Sequence, residues 1–104
     1  MKTRTGNFPI GFRRGGGWQG DIEALAQFAK NAGFEAIDLG KATREDVAVL
    51  KKHGLMVGSV DLVNWQNLFS KDEGERKAAV QENIEYIREA NALGATRFFL
   101  CVMP

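Results

Sequence analysis

The chain has 104 residues, 14 Lys and Arg against 13 Asp and Glu, one His and one Cys, with 44% hydrophobic and 26% charged residues. One domain of average globular composition fits that length, whereas disordered, collagen-like and low-complexity readings do not. A net charge of +1 exerts no overall pull toward nucleic acid or an anionic membrane, and no apolar run reaches the roughly 18–20 residues of a membrane span. The single Cys excludes an intrachain disulfide and a Cys-rich zinc site, which fits a reducing compartment. No apolar signal region occurs between Met1 and Gly20, so the expected location is cytoplasmic.

Taken in chain order, the sequence alternates short apolar strands with helices that stop at Gly. A first strand is expected over residues 8–12. Asp21 can cap a helix whose apolar positions Ile22, Leu25, Phe28, Ala29 and Ala32 recur at three- and four-residue spacing, with Gly33 as its stop. Residues 35–39 follow as a strand, then a capping pair of Thr43 and Asp46 opens a short helix with Val47 and Leu50 inward. Gly54 precedes a strand over 56–62. The longest helix is expected over 73–93, with Val80, Ile84, Ile87 and Ala90 as its buried stripe and a charged remainder in solvent. Gly94 stops it before an apolar strand over 97–102. This β1-α1-β2-α2-β3-α3-β4 order predicts an α/β fold with parallel strands joined by right-handed crossovers. The sheet ends on an apolar strand with nothing after it to cover the edge, so residues 1–104 are expected to be a single partial domain.

In such sheets ligands bind where the strands end and the βα loops converge. That places Arg13, Arg14, the run Gly15-Gly16-Gly17 and Trp18 after strand 1, Asp38 at the end of strand 2, Asp61, Asn64 and Trp65 where strand 3 runs out, and Cys101 and Met103 at the end of strand 4. Alternation puts Ile37 and Leu39 toward the helices and Ala36 and Asp38 on the opposite face; it groups Val57, Ser59 and Asp61 in the same way. Two carboxylates at neighbouring strand ends need a cation, an Arg or substrate hydroxyls between them. The plainer alternative is that each caps a loop or pairs with Arg13. Arg13 can also hold an anionic group, and Trp18 and Trp65 can stack on a sugar face or simply cover the sheet end.

Gly15 to Gly20 matches G-x-G-x-x-G, and Asp38 lies 18 residues beyond, near the distance of a ribose-binding acid. Arg13 and Arg14 separate strand from glycines, however, and Asp21 and Glu23 put negative charge where a pyrophosphate would sit. A glycine-rich loop over a pocket accounts better for these residues. Lys2 and Arg4 read as a solvated tail, His53 as a cation at a helix C-terminus, and Cys101 as a small buried apolar residue.

The run from Asp21 to Gly33, followed by Gly33-Phe34-Glu35-Ala36-Ile37-Asp38-Leu39, resembles the first βα unit of the xylose isomerase-like TIM barrels, the sugar phosphate isomerase/epimerase family. That family more usually carries Glu where Asp38 stands. The stretch from Glu75 through Ile84, Ile87 and Ala90 to Leu93-Gly94-Ala95 resembles its long third helix. The resemblance implies the first half of a (β/α)8 barrel of roughly 250 residues. It implies metal-assisted proton transfer that isomerises or epimerises a sugar or polyol. The divalent metal (Zn, Mn or Mg) is held by strands of the second half, so this chain alone is expected to hold none and to be inactive. Only Asp38 maps onto a motif position, as a substrate-side acid.

The substrate-binding candidates are therefore Arg13, Trp18, Asp38, Asp61, Asn64 and Trp65, with no catalytic residue assigned and no metal ligand. The expected partners are a small carbohydrate and either the missing C-terminal half-barrel or a second copy covering the open sheet edge, with neither nucleic acid nor membrane. Two other readings stand beside this one: a non-catalytic half-barrel used for binding or assembly, and the dinucleotide-binding half of an NAD(P)-dependent oxidoreductase.

Overall fold

The computed structural model describes residues 8–18 and 20–102; Lys2, Arg4, Gln19 and Met103 lie outside the described residues. Each helix begins where a side chain satisfies a free N–H group. Asp21 accepts from the Ala24 N–H at 2.9 Å ahead of α1 (Ile22–Ala32), and Thr43 from the Asp46 N–H at 3.1 Å ahead of α2 (Arg44–Lys52). Asp72, not singled out in the sequence, does the same for Glu75 at 2.8 Å ahead of α3 (Glu73–Ala92). After the helices, Gly33, Gly54 and Gly94 adopt φ of 83°, 72° and 110°, where a Cβ is disfavoured, so the chain turns where the glycines stand.

The strands β1 (Gly11–Arg13), β2 (Ala36–Leu39), β3 (Met56–Asp61) and β4 (Phe98–Phe99) form one parallel sheet in the order β1-β2-β3-β4. The described residues are thus α/β, with a four-stranded parallel sheet and three α-helices in alternation. Among the described residues β1 pairs with β2 alone, so the arrangement of a dinucleotide fold, with the first strand between the second and fourth, is not present. No described helix is long and apolar enough to cross a membrane.

The outer strands are shorter than the apolar runs suggest. Phe8 and Ile10 are exposed and the ladder starts at Gly11, where a Cβ would lie 2.4 Å from the Ala36 carbonyl oxygen. At the other margin only Phe98 and Phe99 pair, leaving Leu100, Cys101 and Val102 exposed. Cys101 is thus a surface thiol, not the buried residue expected.

One face of the sheet builds the core. Leu25, Ile37, Leu39, Leu50 and Val60 retain no exposed surface, and Phe12, Val57 and Phe98 pack against them. β2 and β3 are registered Ile37 to Val57 but Leu39 to Val60, so β3 carries one extra residue between these pairs. This bulge breaks the expected grouping of Val57, Ser59 and Asp61. Val57 stays aligned with the core residue Ile37, whereas Asp61 is aligned with Phe99 and follows the buried Val60, on the opposite face.

Helix α3 also departs from expectation. Its buried stripe is Ala79, Asn83, Tyr86 and Ala90, while Val80 and Ile84 are 48% and 38% exposed. The first three positions of the two stripes have the same spacing and are offset by one residue, about 100° around the helix, and both stripes end on Ala90. Partners decide between them. The Asn83 amide donates to the Val63 carbonyl at 2.8 Å and accepts from the Val63 N–H at 3.1 Å, tying α3 to the loop after β3. The Tyr86 hydroxyl accepts from the Ala42 N–H at 3.3 Å, and its ring meets Phe98 edge-on at 6.4 Å. Burial pushes the Tyr86 hydroxyl pKa up, so the group remains a neutral phenol.

Candidate functional site

On the face that the helices leave open, each strand contributes one residue at its C-terminal end. Arg13 closes β1 in register with Asp38 of β2, and Asp61 closes β3 in register with Phe99 of β4. The Arg13 guanidinium forks onto Asp61, with Nη1 donating to Oδ1 at 2.9 Å and Nη2 donating to Oδ2. Its central carbon also lies 5.9 Å from the centroid of the Phe99 ring. In a flat sheet β1 and β4 stand about 14 Å apart, three spacings of roughly 4.8 Å. A single side chain from β1 that meets both β3 and β4 marks a concave inner face.

Charge holds this arrangement. The hydrogen bond to Asp61 raises the Arg13 pKa, the Asp61 and Asp38 charges add to it, and burial opposes it; the guanidinium stays cationic. Side-chain exposures of 52% for Arg13 and 30% for Asp61 leave the pair open to solvent, so it positions groups more than it stabilises the fold.

Asp38 is fixed by the backbone of the neighbouring strand. Its Oδ1 accepts from the Ser59 N–H at 2.7 Å, and a Cβ at residue 58 would fall 2.1 Å from that oxygen. Gly58 therefore makes room for the carboxylate. The sequence reading missed it, although a glycine inside a strand is a signal of close approach. Below Arg13 and Asp61, the inner face forms an open groove of about 290 Å³ lined by Gly11, Ala36, Asp38, Gly58, Ser59 and Arg97 among others.

The remaining candidates are held by other elements. Trp18 stacks on Phe28 of α1 at 5.5 Å between ring centroids and packs against the core. Asn64 takes a left-handed φ of 46°, donates to Glu82 of α3 at 2.9 Å and accepts from Asn67 at 2.9 Å. Trp65 opens the 3-10 turn Trp65–Phe69 and is half-buried. Arg14 donates from its backbone to the Asp38 carbonyl at 3.0 Å and from its side chain to Asp46 at 2.9 Å. His53 caps α2, with Nε2 2.6 Å from Oε1 of Glu23 on α1. The structure thus brings Arg13, Asp38 and Asp61 together with Phe99. It sets Trp18 on the core beside α1, and Asn64 and Trp65 on the loop after β3.

A divalent metal fits this cluster poorly. Both Asp61 oxygens are engaged by Arg13, so a guanidinium already occupies that carboxylate. Among the described residues no group of three or more His, Cys, Asp or Glu side chains is disposed to bind one. Comparison of the chain with protein-family models, with curated proteins and with solved structures finds no match in any of the three.

Proposed function

We propose that this chain is the substrate-side half of a sugar phosphate isomerase/epimerase-like TIM barrel, binding a sugar or polyol through Arg13, Asp38 and Asp61. The observation that carries the reading is the Arg13 fork across a concave inner face, which gathers a donor and two carboxylates where four parallel strands end. Carboxylates accept from sugar hydroxyls, and the unshared guanidinium N–H groups donate to sugar oxygens. Proton transfer on the bound sugar, from one carbon to its neighbour in isomerisation or off and back onto the same carbon in epimerisation, belongs to the complete barrel. The residues that move the proton, and any divalent metal beside it, come from strands other than these four.

The test is an NMR titration of the chain with free and phosphorylated pentoses and hexoses and with polyols. Binding at this site shifts the amides of Arg13, Asp38 and Asp61 and is lost in Arg13→Ala. Absence of any shift there at tens of millimolar carbohydrate would remove the reading.

A second reading, assembly through the sheet margins, is favoured by its own observation. Phe8, Ile10 and Phe28 are exposed beside β1 and α1, and Val80, Ile84, Leu100 and Val102 beside α3 and β4. Sedimentation at rising protein concentration tests it: a cooperatively melting monomer throughout means these margins recruit no second copy.

A further inference from the structure

We infer that Ser59 and Arg97 extend the site at Arg13, Asp38 and Asp61 into a subsite for a carboxylate, so that its ligand is a sugar acid; the inference rests on the carbohydrate reading of that site. Strand alternation places both residues on the inner face. Val60 is fully buried on the helical face and Phe98 meets Tyr86 there. Their neighbours Ser59 and Arg97 therefore point the other way, to the side where Phe99 meets Arg13. The Val60 N–H donates to the Arg97 carbonyl at 3.0 Å, and Val60 is paired with Phe98, which sets Ser59 beside Arg97. Both residues line the groove of about 290 Å³ together with Asp38.

This lower row differs from the pair above it in what it leaves unused. Arg13 and Asp61 consume each other's charge. Asp38 gives one oxygen to the Ser59 N–H. Among the described residues Arg97 forms no salt bridge, and neither the Ser59 hydroxyl nor the second Asp38 oxygen has a hydrogen-bond partner. Arg97 is thus a donor fork without an acceptor, beside a hydroxyl and a carboxylate oxygen that are also unspent. Charge chooses the acceptor. With Arg13 taken by Asp61, the row holds one cation, Arg97, and one anion, Asp38. A monocarboxylate neutralises Arg97 and offers its own hydroxyls to Asp38, whereas a phosphate brings a second negative charge against Asp38. The planar carboxylate matches the guanidinium fork, and the Ser59 hydroxyl can donate to the same group. The strands of Asp38 and Arg97 lie two spacings apart, roughly 10 Å; with a hydrogen bond of about 2.8 Å at each end, an acid of roughly four to six carbons bridges them.

The experiment titrates the wild-type chain and Arg97→Gln with xylose, xylonate and ribose phosphate, following amide shifts by NMR. Arg97 is exposed, so the substitution should leave the fold intact, which thermal melting checks; should it melt early, the three ligands on wild type alone decide. The expected result is that wild type binds xylonate about tenfold tighter than xylose and tighter than ribose phosphate, and that Arg97→Gln loses the preference. Equal affinity of wild type for xylose and xylonate overturns the carboxylate subsite while leaving the carbohydrate site standing. A preference for xylonate that survives in Arg97→Gln overturns it too, because the carboxylate would then be seated elsewhere. Tighter binding of ribose phosphate than of xylonate overturns the choice of a single negative charge. If none of the three shifts the wild-type amides of Arg13, Asp38 and Asp61, the carbohydrate reading fails first and the subsite falls with it.

Discussion

The two faces of the one sheet are built on different principles. Toward the helices stand Ile37, Leu39 and Val60, closed over by Leu25 and Leu50 with no exposed surface. Toward the open side the same strands present Gly11, Ala36 and Gly58 in their lower part, and Arg13, Asp38 and Asp61 at their ends. Close-packed aliphatic side chains supply stability through burial and dispersion, and every lost methylene is felt. A half-exposed ion pair supplies little, because water screens it and long side chains lose freedom in forming it. The division leaves the inner face free to carry charge while the helical face carries the fold.

Leu50→Ala gives the largest effect that this contrast predicts. It opens a cavity in the closed face and should destabilise the chain by about 2–5 kcal/mol in urea unfolding. Asn83→Ala comes next, at about 1–3 kcal/mol, because it strips the acceptor from the Val63 N–H and the donor from the Val63 carbonyl, both supplied by one amide. Asn83→Asp should be nearly as costly, since a carboxylate can still accept from the N–H but cannot donate to the carbonyl. A loss below the resolution of urea unfolding in both variants would mean that the loop after β3 is held by something other than this clamp.

These two residues also show what the sequence makes legible. Leu50 sits in a capped helix with its stop nearby, and every signal involved is local: the Thr43 oxygen meets the Asp46 N–H three residues on, and Gly54 takes its left-handed turn alone. Asn83 is different. Apolar periodicity selects Val80, Ile84 and Ile87, the greasier of two equally spaced stripes, whereas burial goes to the stripe whose Asn and Tyr find backbone partners 20 and 44 residues away. Such partners become visible only once the loops are placed. The candidate site divides in the same way. Strand-end positions and alternation pointed to Arg13, Asp38 and Asp61, with a carboxylate paired to Arg13 as the plainer alternative that Asp61 follows, but the bulge in β3 and the reach of Arg13 to β4 follow from register and curvature.

Smaller effects are expected from the open face and the bare flank of α3. Asp61→Asn should cost no more than about 1 kcal/mol of stability while weakening carbohydrate binding, and a loss as large as that of Leu50→Ala would erase the distinction between the faces. The double variant Val80→Ser/Ile84→Ser should change stability by only about 0.5 kcal/mol per site, since both side chains are already partly exposed. Its effect belongs in sedimentation. If the α3 margin recruits a second copy, the variant shifts the equilibrium toward monomer, and an unchanged profile assigns self-association to another surface.

The smallest expected effect concerns an ion pair on the helical side that, like Arg13 with Asp61, remains in water. Glu23 Oε1 lies 2.6 Å from His53 Nε2 and 3.1 Å from Lys52 Nζ, bridging α1 and α2. The His53 hydrogen bond, followed by that of Lys52, holds the Glu23 carboxyl below its ordinary value of 4.5. In the pH window between the depressed folded pKa and the unfolded one, the unfolded chain binds the extra proton. The contribution of Glu23 is therefore complete above about pH 5 and fades as acid titrates the folded carboxylate. Wild type and Glu23→Gln should differ modestly in urea midpoint near pH 5.5 and converge toward pH 3, with the gap at pH 5.5 narrowing in high salt because the pair is exposed. A gap that widens on acidification would have the wrong sign for a carboxylate stabilised in the folded state, and would place the acid sensitivity of the fold elsewhere.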